Sequence, residues 1–174
     1  MISNILIQIV GFVGTGLYLL SYQFKSNRQL FAVQTGAYCF YFAHYFLLGA
    51  VTGAFSYLVN LLRSAFLSSN NKFLHSKTAC ATLCLLQVAI LKFTWAGWIS
   101  ILPCVANIAS TLGGYSGNAR KVRTANMFVN SPLFIIYAII VGSWAGVLDE
   151  VISEASIIIS IARFGWKNLD RTDL

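Results

Sequence analysis

Seven apolar runs, each about 15–22 residues long, follow one another along the chain, close to the length that an α-helix needs to cross a hydrocarbon core of about 30 Å. They cover about 2–23, 29–48, 51–67, 78–93, 98–112, 124–141 and 147–162. The runs are continuously apolar and show no alternation of period two. Helices are therefore expected, and a closed β-barrel, the other structure able to satisfy its backbone in lipid, is not. Two of the breaks are tight and uncharged, Gly49 to Gly53 and Gly142 to Gly146. The remaining breaks carry polar or basic residues. The first run has no basic segment before it, so it reads as a retained transmembrane helix and not as a secretory signal.

Composition strengthens the membrane reading. The chain is 57% hydrophobic and 10% charged, whereas a soluble domain carries about 25% charged residues. The net charge of +7 is explained by position. With seven spans, Lys25, Arg28, Arg63, Lys72, Lys77, Arg120, Lys121, Arg123, Arg163, Lys167 and Arg171 fall on one side, and only Lys92, near Trp95 and Trp98, on the other. This bias predicts an outside N-terminus and a cytoplasmic C-terminus. It also argues against a nucleic-acid surface, because the cations sit at loop intervals and not on one face. Cys39, Cys80, Cys84 and Cys104 all lie in apolar runs and read as small packing residues.

The order of breaks repeats. Each of two segments reads span, basic turn, span, G-x3-G turn, span. Setting Arg28 on Arg120 also sets Gly11 on Pro103, Gln34 on Asn126 and Tyr45 on Tyr137. One further residue sets Gly49 on Gly142 and Gly53 on Gly146. A three-helix unit at about 2–68, a linker helix at about 78–93 and a second unit at about 98–163 follow. The odd linker gives both units the same orientation, which makes them parallel repeats. The expected fold is thus an all-α membrane protein of seven helices, forming one integral membrane domain.

The stretches GFVGTGLYLLSYQFKSNRQL, AHYFLLGAVTGA and NLLR, together with the whole-chain pattern, resemble the YgjV-type bacterial inner-membrane proteins. That resemblance implies residence in the cell inner membrane. The 3+1+3 plan resembles the SWEET and PQ-loop transporters in topology alone. Span one carries Gly11 and Gly14 and lacks the Pro-Gln pair of that group. Pro103 and Pro132 resemble its helix-breaking prolines.

Counting depth at 1.5 Å per residue brings Thr15, Asn60, Asn107, Asn130 and Glu154 near the midplane. Polar groups there are costly and usually face the interior. Asn60, Asn107, Asn130 and Glu154, with Tyr41 from the Tyr38–Tyr41–Tyr45 face, form a candidate substrate pocket. The alternative is interhelical hydrogen-bond glue. Arg63 lies about one turn nearer the cytoplasm than Glu154, so the two read as a gate or ion pair, or else Arg63 snorkels to the surface. His44 and Asp149 lie at similar depth near the outer end and form a second candidate pair. His75 lies in a loop.

No Walker motif, H-E-x-x-H or Ser/His/Asp set is present, and GFVGTG sits in a helix where no βαβ unit fits. No catalytic residue, metal ligand or cofactor is therefore expected, and the chain reads as a non-enzyme. The expected function is transport or facilitated passage of a small polar metabolite by alternating access. The alternative is a non-transporting binding or assembly protein whose polar cluster is structural. The partners expected are the lipid bilayer and an unidentified small molecule, not nucleic acid; a homo-oligomer is compatible with the pattern.

Overall fold

The computed structural model describes residues 4–21 and 27–166. Lys25, Lys167 and Arg171 of the charge count lie outside them. Seven long helices cross the molecule. They are α1 (Asn4–Ser21), α2 (Asn27–Leu47), α3 (Val51–Ser68), α4 (Lys77–Phe93), α5 (Ile101–Gly114), α6 and α7 (Trp144–Phe164). Helix α6 runs from Ala119–Ala125 through a π-helical turn, Asn126–Asn130, into Ser131–Val141. Short 3-10 turns, Lys72–His75 and Trp98–Ser100, precede α4 and α5. No strand occurs among the described residues.

The boundaries differ from the sequence expectation where caps intervene. Asn118 accepts a hydrogen bond from the Lys121 amide, so α6 begins before its basic residues and takes Arg120, Lys121 and Arg123 into its first turns. Ser76 caps α4 in the same way through the Ala79 amide. Such caps satisfy amides that a helix start leaves orphaned. The tight turns are shorter than the glycine spacing suggests. Gly49 and Gly142 have φ of 76° and 73° and end α2 and α6, a left-handed conformation in which a side chain is strained. Gly53 and Gly146 already lie inside α3 and α7. Gly49→Ala and Gly142→Ala are each expected to lower stability by about 1 kcal/mol, as read by thermal unfolding in detergent. A shift at only one of the two would contradict the shared geometry.

The prolines behave differently from the expected helix breakers. Pro103 occupies the first turn of α5, where the missing N–H has no intrahelical partner to lose. Pro132 follows the π turn directly. The Ser131 amide bonds Asn126 O, five residues back. The extra residue lets the helix pass the proline without a break.

Helix α2 packs on α1 and α3, α6 on α5 and α7, α7 on α1, and α3 on α5, with α4 against α3 and α5. The contacts make a ring of six helices flanked by α4. Its interior is an aromatic column. Tyr57 stacks on Tyr41 and Tyr45 at centroid distances of 5.0 Å for both, Tyr45 stacks on Tyr137 at 6.0 Å, and Phe134 leans on Tyr57 at 5.4 Å. Each such pair contributes about 0.5–1.5 kcal/mol beyond its area.

The distribution of polarity is reversed from that of a soluble domain. Ile5, Leu85, Phe93 and Ile159 are 64–82% exposed. His44, Gln87, Asn107, Thr111, Ser21 and Ser56 are among the most deeply buried side chains. Exposed aliphatic and aromatic residues around a hydrogen-bonded polar interior fit a hydrocarbon surrounding. Taken singly, α1 and residues Arg120–Val141 of α6 are long and apolar enough to cross a membrane. Residues Trp98–Gly114 are apolar but shorter.

Candidate functional site

The polar interior has two ends. The turn end holds the α2–α3 and α6–α7 turns and the start of α1. The basic end holds the loops rich in Lys and Arg.

At the turn end, the first and last three helices are stitched together. His44 on α2 is fully buried, with Nδ1 2.8 Å from Ile7 O and Nε2 2.7 Å from Ser143 Oγ. A carbonyl only accepts, so Nδ1 carries the hydrogen and, in the neutral ring, Nε2 accepts from the serine hydroxyl. Ser143 Oγ also accepts the Gly146 amide and so caps α7. Gln8 Nε2 donates to Gly142 O at 2.8 Å. Helix α1 approaches closely because residue 11 is glycine: a Cβ there would stand 2.6 Å from Ala145 Cβ and 2.8 Å from His44 Nδ1.

Beside these bonds lie two matching contacts. The Tyr137 hydroxyl of α6 accepts the Gly53 amide of α3 at 2.9 Å, and a Cβ on Gly53 would stand 2.5 Å from the ring. The Tyr45 hydroxyl of α2 lies against Gly146 of α7, where a Cβ would collide with it. One difference follows from the caps. Ala50 offers α3 no side-chain cap, so Tyr137 supplies one. Ser143 already caps α7, and the buried Tyr45 hydroxyl has no hydrogen-bond partner.

Further from the turns, Tyr41 is fully buried and donates to Thr15 Oγ1 at 2.8 Å; Thr15 in turn faces the Gly11 and Ala145 carbonyls. Asn107 donates through Nδ2 to Ser56 O at 2.7 Å and to Gln87 Oε1 at 3.2 Å, and Gln87 Nε2 donates to Ser56 Oγ at 2.8 Å. This knot joins α3, α4 and α5. Several oxygens and one nitrogen remain buried without a partner: Asn60 Oδ1, Asn107 Oδ1, Asn130 Oδ1, Glu154 Oε1, Asp149 Oδ1, Ser64 Oγ and Arg63 Nη1. An unmet buried group costs about 1–3 kcal/mol.

The sequence pattern of the bacterial inner membrane proteins named Imp-YgjV matches residues 5–168. The chain belongs to this family. No curated protein and no solved structure matches it. As a YgjV-family chain it is a bacterial inner membrane protein, in keeping with the apolar exterior.

For this YgjV-family chain the candidate pairs resolve as follows. His44 does not pair with Asp149, because both ring nitrogens are taken by Ile7 and Ser143. Asp149 faces Tyr41 instead. Arg63 and Glu154 form no pair: Arg63 Nη1 and Glu154 Oε1 are each without a partner. Glu154 faces Ser131, and the Arg63 side chain runs past Gly114 of α5. Asn60 and Asn107 are buried, Asn130 and Glu154 half-buried. Tyr41 is hydrogen-bonded and stacked, which places it in the packed column. Among the described residues no group of His, Cys, Asp and Glu could hold a metal ion.

Three residues of the interior escaped the sequence reading. Glu150 is 6% exposed and stands beside Asp149 and near Glu154. Its signal was available, since positions 150 and 154 share a helix face. Gln87 lies in the unrepeated linker helix, outside the pattern that relates the two units. Ser143 was read as turn material, although a serine before a helix start is a capping signal.

Proposed function

We propose that the chain is a secondary transporter or facilitator of a small polar metabolite, working by rocking of two parallel three-helix units, α1–α3 and α5–α7. The observation that carries this reading is the set of unpartnered buried groups at and below the midplane, Asn60, Asn107, Asn130 and Glu154 with Arg63. They come from both units. A cluster serving only packing has every reason to close its hydrogen bonds inside hydrocarbon; one that receives a polar cargo keeps some open for it. The two-unit arrangement is supported by the paired left-handed glycines, Gly49 and Gly142, and by the reciprocal tyrosine–glycine contacts. The stitched turn end supports a state closed on that side. With the positive-inside bias, the turn end is external and the N-terminus outside.

Uptake into liposomes across a metabolite panel tests the reading. Asn60→Ala is expected to abolish or reduce flux at unchanged stability, since its Oδ1 bonds nothing in the protein. Asn107→Ala is expected to lower stability as well, by about 1–3 kcal/mol, because it unties Ser56 and Gln87. Absence of flux for every compound, with no compound stabilising the protein, would leave the polar cluster as a structural device of an assembly protein.

A further inference from the structure

The chain has five acidic residues, and three of them, Asp149, Glu150 and Glu154, fall within two turns of α7. Asp149 and Glu150 are 5% and 6% exposed. Gly146, Asp149 and Glu150 share one helix face, at spacings of three and four residues, and Tyr45 presses its unpartnered hydroxyl onto that face at Gly146. The groups facing the two carboxyls are hydroxyls and other acids. Tyr41 of α2 stands against Asp149 and Ser131 of α6 against Glu150, with Tyr38 and Tyr45 of α2, Tyr57 of α3 and Glu154 of α7 in the wider surroundings. On α1 the nearby hydroxyl is Thr15, while Tyr18 turns to Tyr38. The cations of α6, the last of them Arg123, stand at the basic end, two turns from Ser131. His44 is held by Ile7 and Ser143. No described cation faces either carboxyl.

We propose that Asp149 and Glu150 form a proton-binding site within the membrane, held between the tyrosines of α2 and α3 and Ser131 of α6. Two adjacent carboxyls without a countercharge in a low-dielectric interior each hold a proton, and separating α7 from α1 and α2 would admit water to accept a proton from either. Coupling that exchange to a cargo rests on the transporter reading; the binding of protons does not.

Infrared titration of the full chain in liposomes tests it, through the carbonyl stretch of protonated carboxylic acids. A band is expected at neutral pH that shifts in deuterium oxide, diminishes in Asp149→Asn and in Glu150→Gln, disappears in the double variant and survives Glu154→Gln. Should the double variant fail to insert, carbon-13 labelling of aspartate in the wild-type chain serves, moving part of the band. No band at neutral pH overturns the proposal, as does a band that survives the double variant, is lost in Glu154→Gln or ignores the aspartate label. A band that vanishes on adding sodium at fixed pH assigns the site to sodium and overturns it too. A band without metabolite flux keeps the site and removes the transport reading; flux without a band does the reverse.

Discussion

Gly146→Ala is expected to destabilise the protein by about 1–3 kcal/mol, the cost of forcing a methyl into a filled interior, and Tyr45→Phe is expected to restore much of it. The new Cβ would collide with the Tyr45 hydroxyl. That hydroxyl bonds nothing, so removing it alone should be close to neutral. Restoration stays incomplete because Ser143 Oγ would also stand 2.7 Å from the Cβ. The equivalent substitution on the other side is costly. Tyr137→Phe removes the acceptor of the Gly53 amide, an orphan N–H in the first turn of α3, and should cost about 1–3 kcal/mol. Thermal unfolding in detergent measures all four variants. If Tyr45→Phe and Tyr137→Phe cost the same, the division of capping between Ser143 and Tyr137 is mistaken.

His44→Ala is the second large effect, with an expected loss of about 2–4 kcal/mol from a buried cavity and two abandoned hydrogen-bond partners. The ring joins α1, α2 and the α6–α7 turn in one place. Combined with Ser143→Ala, the loss should fall short of the sum of the single losses by about 0.5 kcal/mol or more, the coupling expected of side chains in direct contact. Strict additivity would mean that the 2.7 Å contact contributes nothing. Because the ring closes the turn end, the rocking reading adds that His44→Ala raises access to Thr15 from that side. A cysteine at position 15, in a chain otherwise free of cysteine, should then label faster with an impermeant maleimide.

Much of the frame was legible in the residues. Apolar runs of membrane length gave seven helices, and the glycines at 49 and 142 marked where two of them end. What escaped was azimuth. Counting depth sets His44 and Asp149 at neighbouring heights, yet says nothing about which way each points. His44 turns to α1 and Ser143, and Asp149 to Tyr41. Arg63 and Glu154 illustrate the same gap. Counted along the helices their separation is short, but Glu154 faces Ser131 and Arg63 runs past Gly114. Rotation about a helix axis is fixed by packing partners on other helices, and a single sequence does not state who they are. Glu150 was hidden differently: it stood beside an acid already given a role. The prolines were misjudged because a break requires an N–H that the helix would otherwise use. At Pro103 none is needed, and at Pro132 the π turn accommodates the loss.

The two tyrosine–glycine contacts bear on how the protein is made. Gly53 leaves a notch in α3 that Tyr137, 84 residues later, fills. While the ribosome is still adding α4 and α5, the first three helices sit in the bilayer with that notch open and the Gly53 amide uncapped. Tyr45 likewise waits for Gly146. The early helices therefore cannot reach their final packing on their own.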